Sequence, residues 1–161
     1  MTAENEILIK QPLSLAEFDA VKSLFHEHEK ELAEDKCFQN FDVEMKNLQT
    51  VYSVPRGALL LATHNGKAVG VVGMVGIDDG VAEMKRLYVQ PQWRKKGIGK
   101  MLCREIMAIA RNLSYSSMRL ETLYRLDAAI ALYLDQGFSL PEKTKKTAGR
   151  DNNICVMVTS L

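Results

Sequence analysis

Tyr88-Val-Gln-Pro-Gln-Trp-Arg-Lys-Lys-Gly-Ile-Gly-Lys100 joins three textures in one stretch of chain. An apolar run ends at Val89, a basic loop follows, and paired glycines open a helical pattern. Pro91 has no amide to give a sheet, so the strand stops before it. Gly97 and Gly99 lack side chains, which lets a ligand approach the main chain and lets several amides converge. The first amides of a helix have no partner within it and lie at the positive end of its dipole. A helix start of this kind is an anion site. The dipole contributes roughly 0.3–1 kcal/mol per charge, and Arg94, Lys95, Lys96 and Lys100 add positive charge around the same point.

Outward from this stretch the periodicity is plain. Downstream, Ile98, Met101, Leu102, Ile106, Ile109 and Ala110 recur near the helical period, which predicts a helix over Gly97–Asn112. Ser117–Thr122 reads as a strand, Asp127–Gln136 as a helix with Asp127 as N-cap, and Gly137 as its stop. Ile154–Ser160 reads as a closing strand. Upstream, Ala58–Thr63 and Lys67–Val75 flank Asn65-Gly66, the strongest two-residue hairpin signal. Asp78-Asp79-Gly80 turns the chain again into Val81–Val89, giving three consecutive antiparallel strands. Ile7-Leu8-Ile9 is a short first strand. Ser14-Leu-Ala-Glu17 is a capping box opening a helix to about Leu24. A second helix covers Phe41–Leu48, after a polar link at Glu34–Asn40. The order reads β-α-α-β-β-β-α-β-α-β-β, a mixed α/β sheet.

Bulk properties bound the function. The 161 residues suit one domain, residues 1–161, with a sizeable core. Hydrophobic residues make up 47% and charged residues 25%, with formal net charge +1, as in an ordinary soluble globular protein. No stretch approaches the ~20 apolar residues that span a bilayer. Met1-Thr-Ala-Glu-Asn-Glu lacks a secretory pattern, so a cytoplasmic protein is expected. Cys37, Cys103 and Cys155 are odd in number and far apart, which argues against a disulfide framework or a C-x-x-C metal site. Cys103 and Cys155 fall in apolar patterns and read as small core residues. His26 and His28 are two apart, point different ways and lack ligand spacing; His64 precedes a turn and reads as solvated. No metal is assigned. Charge is unevenly placed: residues 1–52 hold eleven acids and five lysines, net −6, and residues 53–161 hold nine acids and sixteen bases, net +7. A polyanionic ligand on the second part fits that division, as do solvated helix faces.

Two other uses of the glycine loop fail on the residues. A dinucleotide fingerprint needs a third glycine where Leu102 stands. Trp93 beside Arg94-Lys95-Lys96 has the elements of a base-stacking patch, but the patch is short and the chain nearly neutral, so no nucleic acid is expected. Arg94-Lys95-Lys96-Gly97-Ile98-Gly99 instead resembles the R/Q-x-x-G-x-G/A signature of the GCN5-related N-acetyltransferase (GNAT) superfamily. The resemblance runs back through Glu83-Met-Lys-Arg-Leu-Tyr-Val89. It runs forward to Ala131-Leu-Tyr-Leu-Asp-Gln-Gly-Phe138, similar to an A-x-x-L-Y-x-x-x-G-F element. It covers residues 57–140; residues 1–56 agree only in element order.

The resemblance implies a largely antiparallel central sheet flanked by helices. Its central strands, ending at Val89 and near Thr122, would part to admit pantetheine. It implies acetyl-CoA as co-substrate and an amine as acceptor; a homodimer is common among relatives. Carried over by position, the main chain of Leu87, Tyr88 and Val89 would pair with pantetheine like an added strand. The amides from Lys95 through Lys96, Gly97, Ile98 and Gly99 to Lys100 would hold the pyrophosphate, and Tyr133 would lie near the sulfur. Leu126 stands where the family often has an Asn that touches CoA.

The chemistry then needs a base, because a lysine-like amine of pKa ~10.4 is neutral in roughly one part in 10³ at pH 7. Acid–base steps typically contribute ~10²–10⁴-fold. Glu83 is the leading base: two-residue alternation places it on the face of Leu87 and Val89, and some relatives carry the base at the corresponding position. The alternative for Glu83 is an ion pair with Lys85 or another basic neighbour. Glu121 on the facing strand is second, with an ion pair to Arg119 or Arg125 as its alternative. Tyr133 is the expected general acid or sulfur ligand, with a packed core tyrosine as alternative. The Val89 amide is the expected oxyanion donor. Phe38, Phe41 and Tyr52 with Glu34, Asp35, Asp42 and Glu44 suggest an acidic aromatic pocket for a small cationic amine or a lysine side chain. An amphipathic helix with core aromatics explains them equally. The competing class is a catalytically silent acyl-CoA-binding module with a regulatory or scaffold role.

Overall fold

The computed structural model describes residues 6–33, 38–140 and 153–161. In chain order the elements are β1 (Ile7–Lys10), α1 (Leu15–Leu32), α2 (Phe41–Lys46), α3 (Leu48–Val51), β2 (Gly57–His64) and β3 (Lys67–Asp78). There follow β4 (Val81–Val89), α4 (Ile98–Asn112), β5 (Ser117–Leu123), α5 (Asp127–Asp135) and β6 (Ile154–Ser160). The strands form one sheet in sequence order. Every neighbouring pair is antiparallel except β4–β5, which the crossover through α4 makes parallel.

Local chemistry fixes the connections. Asn65 and Gly66 both adopt positive φ, 50° and 78°, the twist that lets a two-residue turn join β2 to β3. At α1, the Glu17 amide donates to Ser14 Oγ at 3.1 Å and the Ser14 amide to Glu17 Oε1 at 3.1 Å, a complete capping box.

The sheet divides the core in two. On one face α4 buries Ile98, Leu102, Cys103, Ile106, Met107 and Ala110 against β2–β4, with Tyr133 and Cys155 in the same cluster. On the other, Val21, Leu24 and Phe25 of α1 pack with Phe38, Phe41, Tyr52 and Tyr88.

Several expectations change. α1 runs to Leu32, eight residues beyond Leu24, and closes on Ala33 in a left-handed conformation. The helix expected over Phe41–Leu48 breaks at Asn47 into α2 and α3. Leu126, not Asp127, is the N-cap of α5, and Asp127 occupies its first turn. Among the described residues a single strand follows α5; Ser139 adds only an isolated bridge to Val158. Glu34, Asp35 and Cys37 lie outside the described residues. No helix among those described is long and apolar enough to cross a membrane.

Candidate functional site

The site begins where two strands part. β4 and β5 pair from Val81↔Ser117 to Met84↔Leu120 and no further. Beyond that point β4 stays on β3 as far as Gly70↔Val89, and β5 stays on β6 as far as Leu123↔Ile154. A fork therefore opens between Lys85–Val89 and Glu121–Leu123. Gln90 N donates to Val69 O on β3 at 2.9 Å. Antiparallel alternation then turns the N–H and C=O of Val89 away from β3, into the gap.

A bulge sits at the same point. Gly73 pairs with Lys85 and Val71 with Tyr88, so Arg86 and Leu87 face Val72 alone, and Arg86 adopts φ 62°. The surplus residue reverses the alternation. Ala82 and Met84 belong to the α4-side cluster, and Leu87 and Val89 pack against that same cluster, whereas Tyr88 joins the α1 side. Glu83 consequently faces α1, opposite to Leu87 and Val89. The expectation that all three share a face fails, because a strict period of two does not survive an inserted residue.

A buried charge network holds the bulge. Arg86 donates from Nε to Glu44 Oε2 at 3.0 Å and from Nη2 to Oε1 at 2.9 Å. Tyr52 Oη donates to Oε2 at 2.9 Å, and Lys85 Nζ lies 3.4 Å from Oε1. The guanidinium carbon lies 4.3 Å from the centre of the Phe38 ring and 5.3 Å from that of Phe41. Burial alone would raise the Glu44 carboxyl; the hydrogen bonds and charge of Arg86, with Lys85 and Tyr52, bring it below its ordinary range. Burial, reinforced by the Glu44 charge, raises the Tyr52 hydroxyl. Phe38, Phe41 and Tyr52 are thus core residues, and Glu44 is neutralised internally rather than lining an acidic pocket.

At the mouth of the fork the basic loop leads into α4. Gly97 is the N-cap at φ 83°, without a side-chain cap, and the first helical bond is Met101 N to Gly97 O at 3.0 Å. The amides of Ile98, Gly99 and Lys100 are left without intrahelical partners. A Cβ at Gly97 would meet no atom of the described residues within 4 Å. A Cβ at Gly99 would lie 3.4 Å from Leu132 and 3.9 Å from Val89, so α4, α5 and the end of β4 converge there. Lys95, Lys96, Gly97 and Lys100 are exposed. Lys100 lies 3.4 Å from Asp135, and Lys96 Nζ 5.4 Å from the centre of the Trp93 ring. Trp93 also packs on His64, at 4.6 Å between centroids, so His64 is not simply solvated. Arg94, expected among the phosphate cations, instead bonds the carboxylate of Glu31 and the carbonyl of Val89.

The remaining candidates divide between the faces. Tyr133 lies in the α4-side core, its ring 5.9 Å from that of Phe138. Burial raises its hydroxyl well above the ordinary value, with the neighbouring Cys103 adding to the effect. Glu83 and Glu121 lie on the α1 side and share one cation: Arg119 Nη2 donates to Glu121 at 2.8 Å, and its Nε lies 3.5 Å from Glu83. Both carboxylates therefore make the sheet ion pairs that were their alternatives. Sequence reasoning missed His28, which stacks on Tyr88 at 5.3 Å and meets Phe38 edge-on at 5.4 Å. Burial, aided by the charge of Arg86, holds its imidazole down at about 4, and its buried Nδ1 has no hydrogen-bond partner among the described residues.

Two surface depressions lie apart from the phosphate loop. One, of about 470 Å³, is lined by Thr50, Val54, Arg56, Val75 and Lys85 on the α1 side near the fork. The other, of about 390 Å³, is lined by Asp78, Asp79 and Tyr115 at the opposite end of β4. Among the described residues no three His, Cys, Asp or Glu side chains are grouped to hold a metal ion.

Comparison with known proteins agrees with this architecture. The sequence profile of the acetyltransferase (GNAT) family matches residues 18–138. A Schizosaccharomyces pombe protein named as an uncharacterized N-acetyltransferase is 39% identical over 136 residues, 83% of this chain and 82% of its own. An acetyltransferase crystal structure from Streptococcus agalactiae superposes with a TM-score of 0.79 at 20% identity, covering 96% of this chain and 98% of that one. The PaiA N-acetyltransferase of Thermoplasma acidophilum, solved in complex with coenzyme A, gives 0.76 at 21% identity over 97% and 99%.

Proposed function

The chain belongs to the GNAT acetyltransferase family, and on that premise we propose that it moves an acetyl group from acetyl-CoA directly to a primary amine. The observation that carries this reading is the fork with bare helix amides at its mouth. The free amides of Ile98, Gly99 and Lys100 suit a diphosphate, with Lys95, Lys96 and Lys100 as surrounding charge. The gap between β4 and β5 suits an extended pantetheine chain that pairs with the main chain at Leu87 and Val89. Tyr88 contributes neither ring nor main chain, since its ring packs against α1 and alternation turns its N–H and C=O toward β3. PaiA, solved with coenzyme A, shares this fold.

The division of side chains between the faces suits direct transfer. The donor lies along the α4 side, where the amides and Tyr133 are. The amine enters from the α1 side, where Glu83 and Glu121 stand. The fork is where they meet. The amine gives up a proton to Glu83, or to water held by it, with Glu121 as the second carboxylate on that face. Its nitrogen attacks the thioester carbonyl, and a β4 main-chain N–H deeper in the fork than Val89, that of Leu87, receives the charge that develops on oxygen, since Val89 lies beside the first turn of α4. The carbon–sulfur bond then breaks, Tyr133 donates a hydrogen bond and then its proton to the departing sulfur, and the nitrogen returns its second proton to the phenolate through water. Burial keeps that phenol protonated, which favours the hydrogen bond over early proton release.

Calorimetry with CoA and thiol release from acetyl-CoA across an amine panel test the reading. CoA binding together with amine-dependent thiol release is expected. Binding without release on any amine would replace transfer by a silent binding role, and absence of binding would remove the donor site altogether.

A further inference from the structure

Arg94 heads the basic loop, where charge alone would assign it to the pyrophosphate. Its guanidinium is committed elsewhere. Nε donates to the Val89 carbonyl at 2.8 Å, while Nη1 and Nη2 donate to the two carboxylate oxygens of Glu31 at 2.8 and 2.6 Å. The guanidinium carbon also lies 5.5 Å from the centre of the Tyr88 ring. One turn earlier on α1, both carboxylate oxygens of Glu27 lie 3.3 Å from Gln90 Nε2. Two acids on one face of α1 therefore hold two residues just past the end of β4.

The Arg94–Glu31 pair is 41% exposed on both sides. Such pairs contribute little to stability and restrain two long side chains. What this one supplies is geometry, because a bidentate fork fixes direction as well as distance. The group it directs is the Val89 peptide. The Val89 carbonyl points into the gap and is held there by Arg94. On an extended strand a residue's N–H points to the same side as its C=O, so restraining the carbonyl also restrains the amide.

We propose that Arg94 is a positioning residue rather than a phosphate ligand. Braced by Glu31, it fixes the Val89 main chain so that the Val89 N–H meets the pantetheine arm and sets how far the acyl end reaches into the fork. The pyrophosphate is left to the first-turn amides of α4 and the exposed lysines. The inference rests on the acetyl-CoA reading above.

The test uses the full chain with CoA as the binding probe. It combines amide hydrogen exchange at Val89 in the CoA complex, followed by NMR, with kcat on any amine that is turned over. Arg94→Gln and Glu31→Gln are each expected to leave the CoA Kd within about twofold. Each should speed Val89 exchange and lower kcat by about tenfold, with the double variant no worse than either single. Arg94→Lys keeps the charge but loses the fork, and should behave as Arg94→Gln does. The proposal is overturned if Arg94→Gln weakens CoA by about tenfold or more while Lys preserves it and Glu31→Gln tightens it, the pattern of a phosphate cation freed from a competitor. Unchanged Val89 exchange in both single variants overturns it equally. CoA binding with no amine turned over would defeat the transfer reading alone, since Val89 exchange still decides the brace; a chain that binds no CoA defeats both.

Discussion

Replacing Glu44 by Gln removes one charge from a largely buried site. Glu44 and Arg86 are each 8% exposed, and the carboxylate accepts from Arg86 at 2.9 and 3.0 Å and from Tyr52 at 2.9 Å. The variant keeps the shape and one carbonyl oxygen but takes the Glu44 charge away from the buried Arg86 guanidinium. Breaking a buried pair from one side typically costs about 3–5 kcal/mol. The left-handed backbone at Arg86 adds a conformational cost of roughly 1–2 kcal/mol that the pair now offsets. A loss of about 3 kcal/mol in a chain of this size corresponds to roughly 6–12 °C in Tm, readable by calorimetry or by urea unfolding followed by circular dichroism. The double variant Glu44→Gln/Arg86→Met carries the sharper test. It deletes both charges, so it should be less destabilised than Glu44→Gln alone. A single variant within about 1 kcal/mol of wild type, or a double variant worse than the single, would show that the network does not hold the bulge.

Further outcomes are expected elsewhere. Gly99→Glu places a carboxylate among the free amides of α4, beside Leu132 and Val89; CoA affinity should fall by about 100-fold or more in calorimetry, with near-native circular dichroism. Tyr133→Phe should lower kcat by about tenfold or more while the CoA Kd stays within about twofold, and equal rates would return Tyr133 to a packing role. His28 stays neutral in the folded chain down to about 4, below its ordinary 6.5, so the unfolded chain binds more protons between those values. Stability should therefore rise with pH across that window, by roughly 3 kcal/mol in total, and His28→Phe should flatten the rise. Urea midpoints at half-unit pH steps would measure it.

Much of the fold could be read from short-range signals. Asn65-Gly66, the Ser14 capping box and the glycines before α4 each act within a few residues, and each is where the residues place it. The end of α1 was missed because a polar residue stands in an apolar stripe. Val21, Phe25, His28 and Leu32 follow helical spacing, but His28 interrupts the pattern by residue type, though its ring packs as a core group. The site was half legible. The helix start announces its own free amides, whereas the partners that orient the cleft come from far away in sequence: Glu44 to Arg86, and Glu31 to Arg94. The bulge gave no warning. Positive φ usually coincides with Gly, and here it falls on an arginine held by an ion pair.

That one surplus residue sorts the positions of a single strand between the two faces of the sheet. Glu83 and Lys85, upstream of it, look toward α1, and Leu87 and Val89, downstream, look toward α4. On the transfer proposed above, substitutions meant to alter which amine is accepted belong ahead of Arg86, and those meant to alter how the donor is held belong after it. A deletion at Arg86 would close the bulge while keeping Tyr88 opposite Val71 and Val89 opposite Gly70, so Leu87 and Val89 would stay on the α4 face.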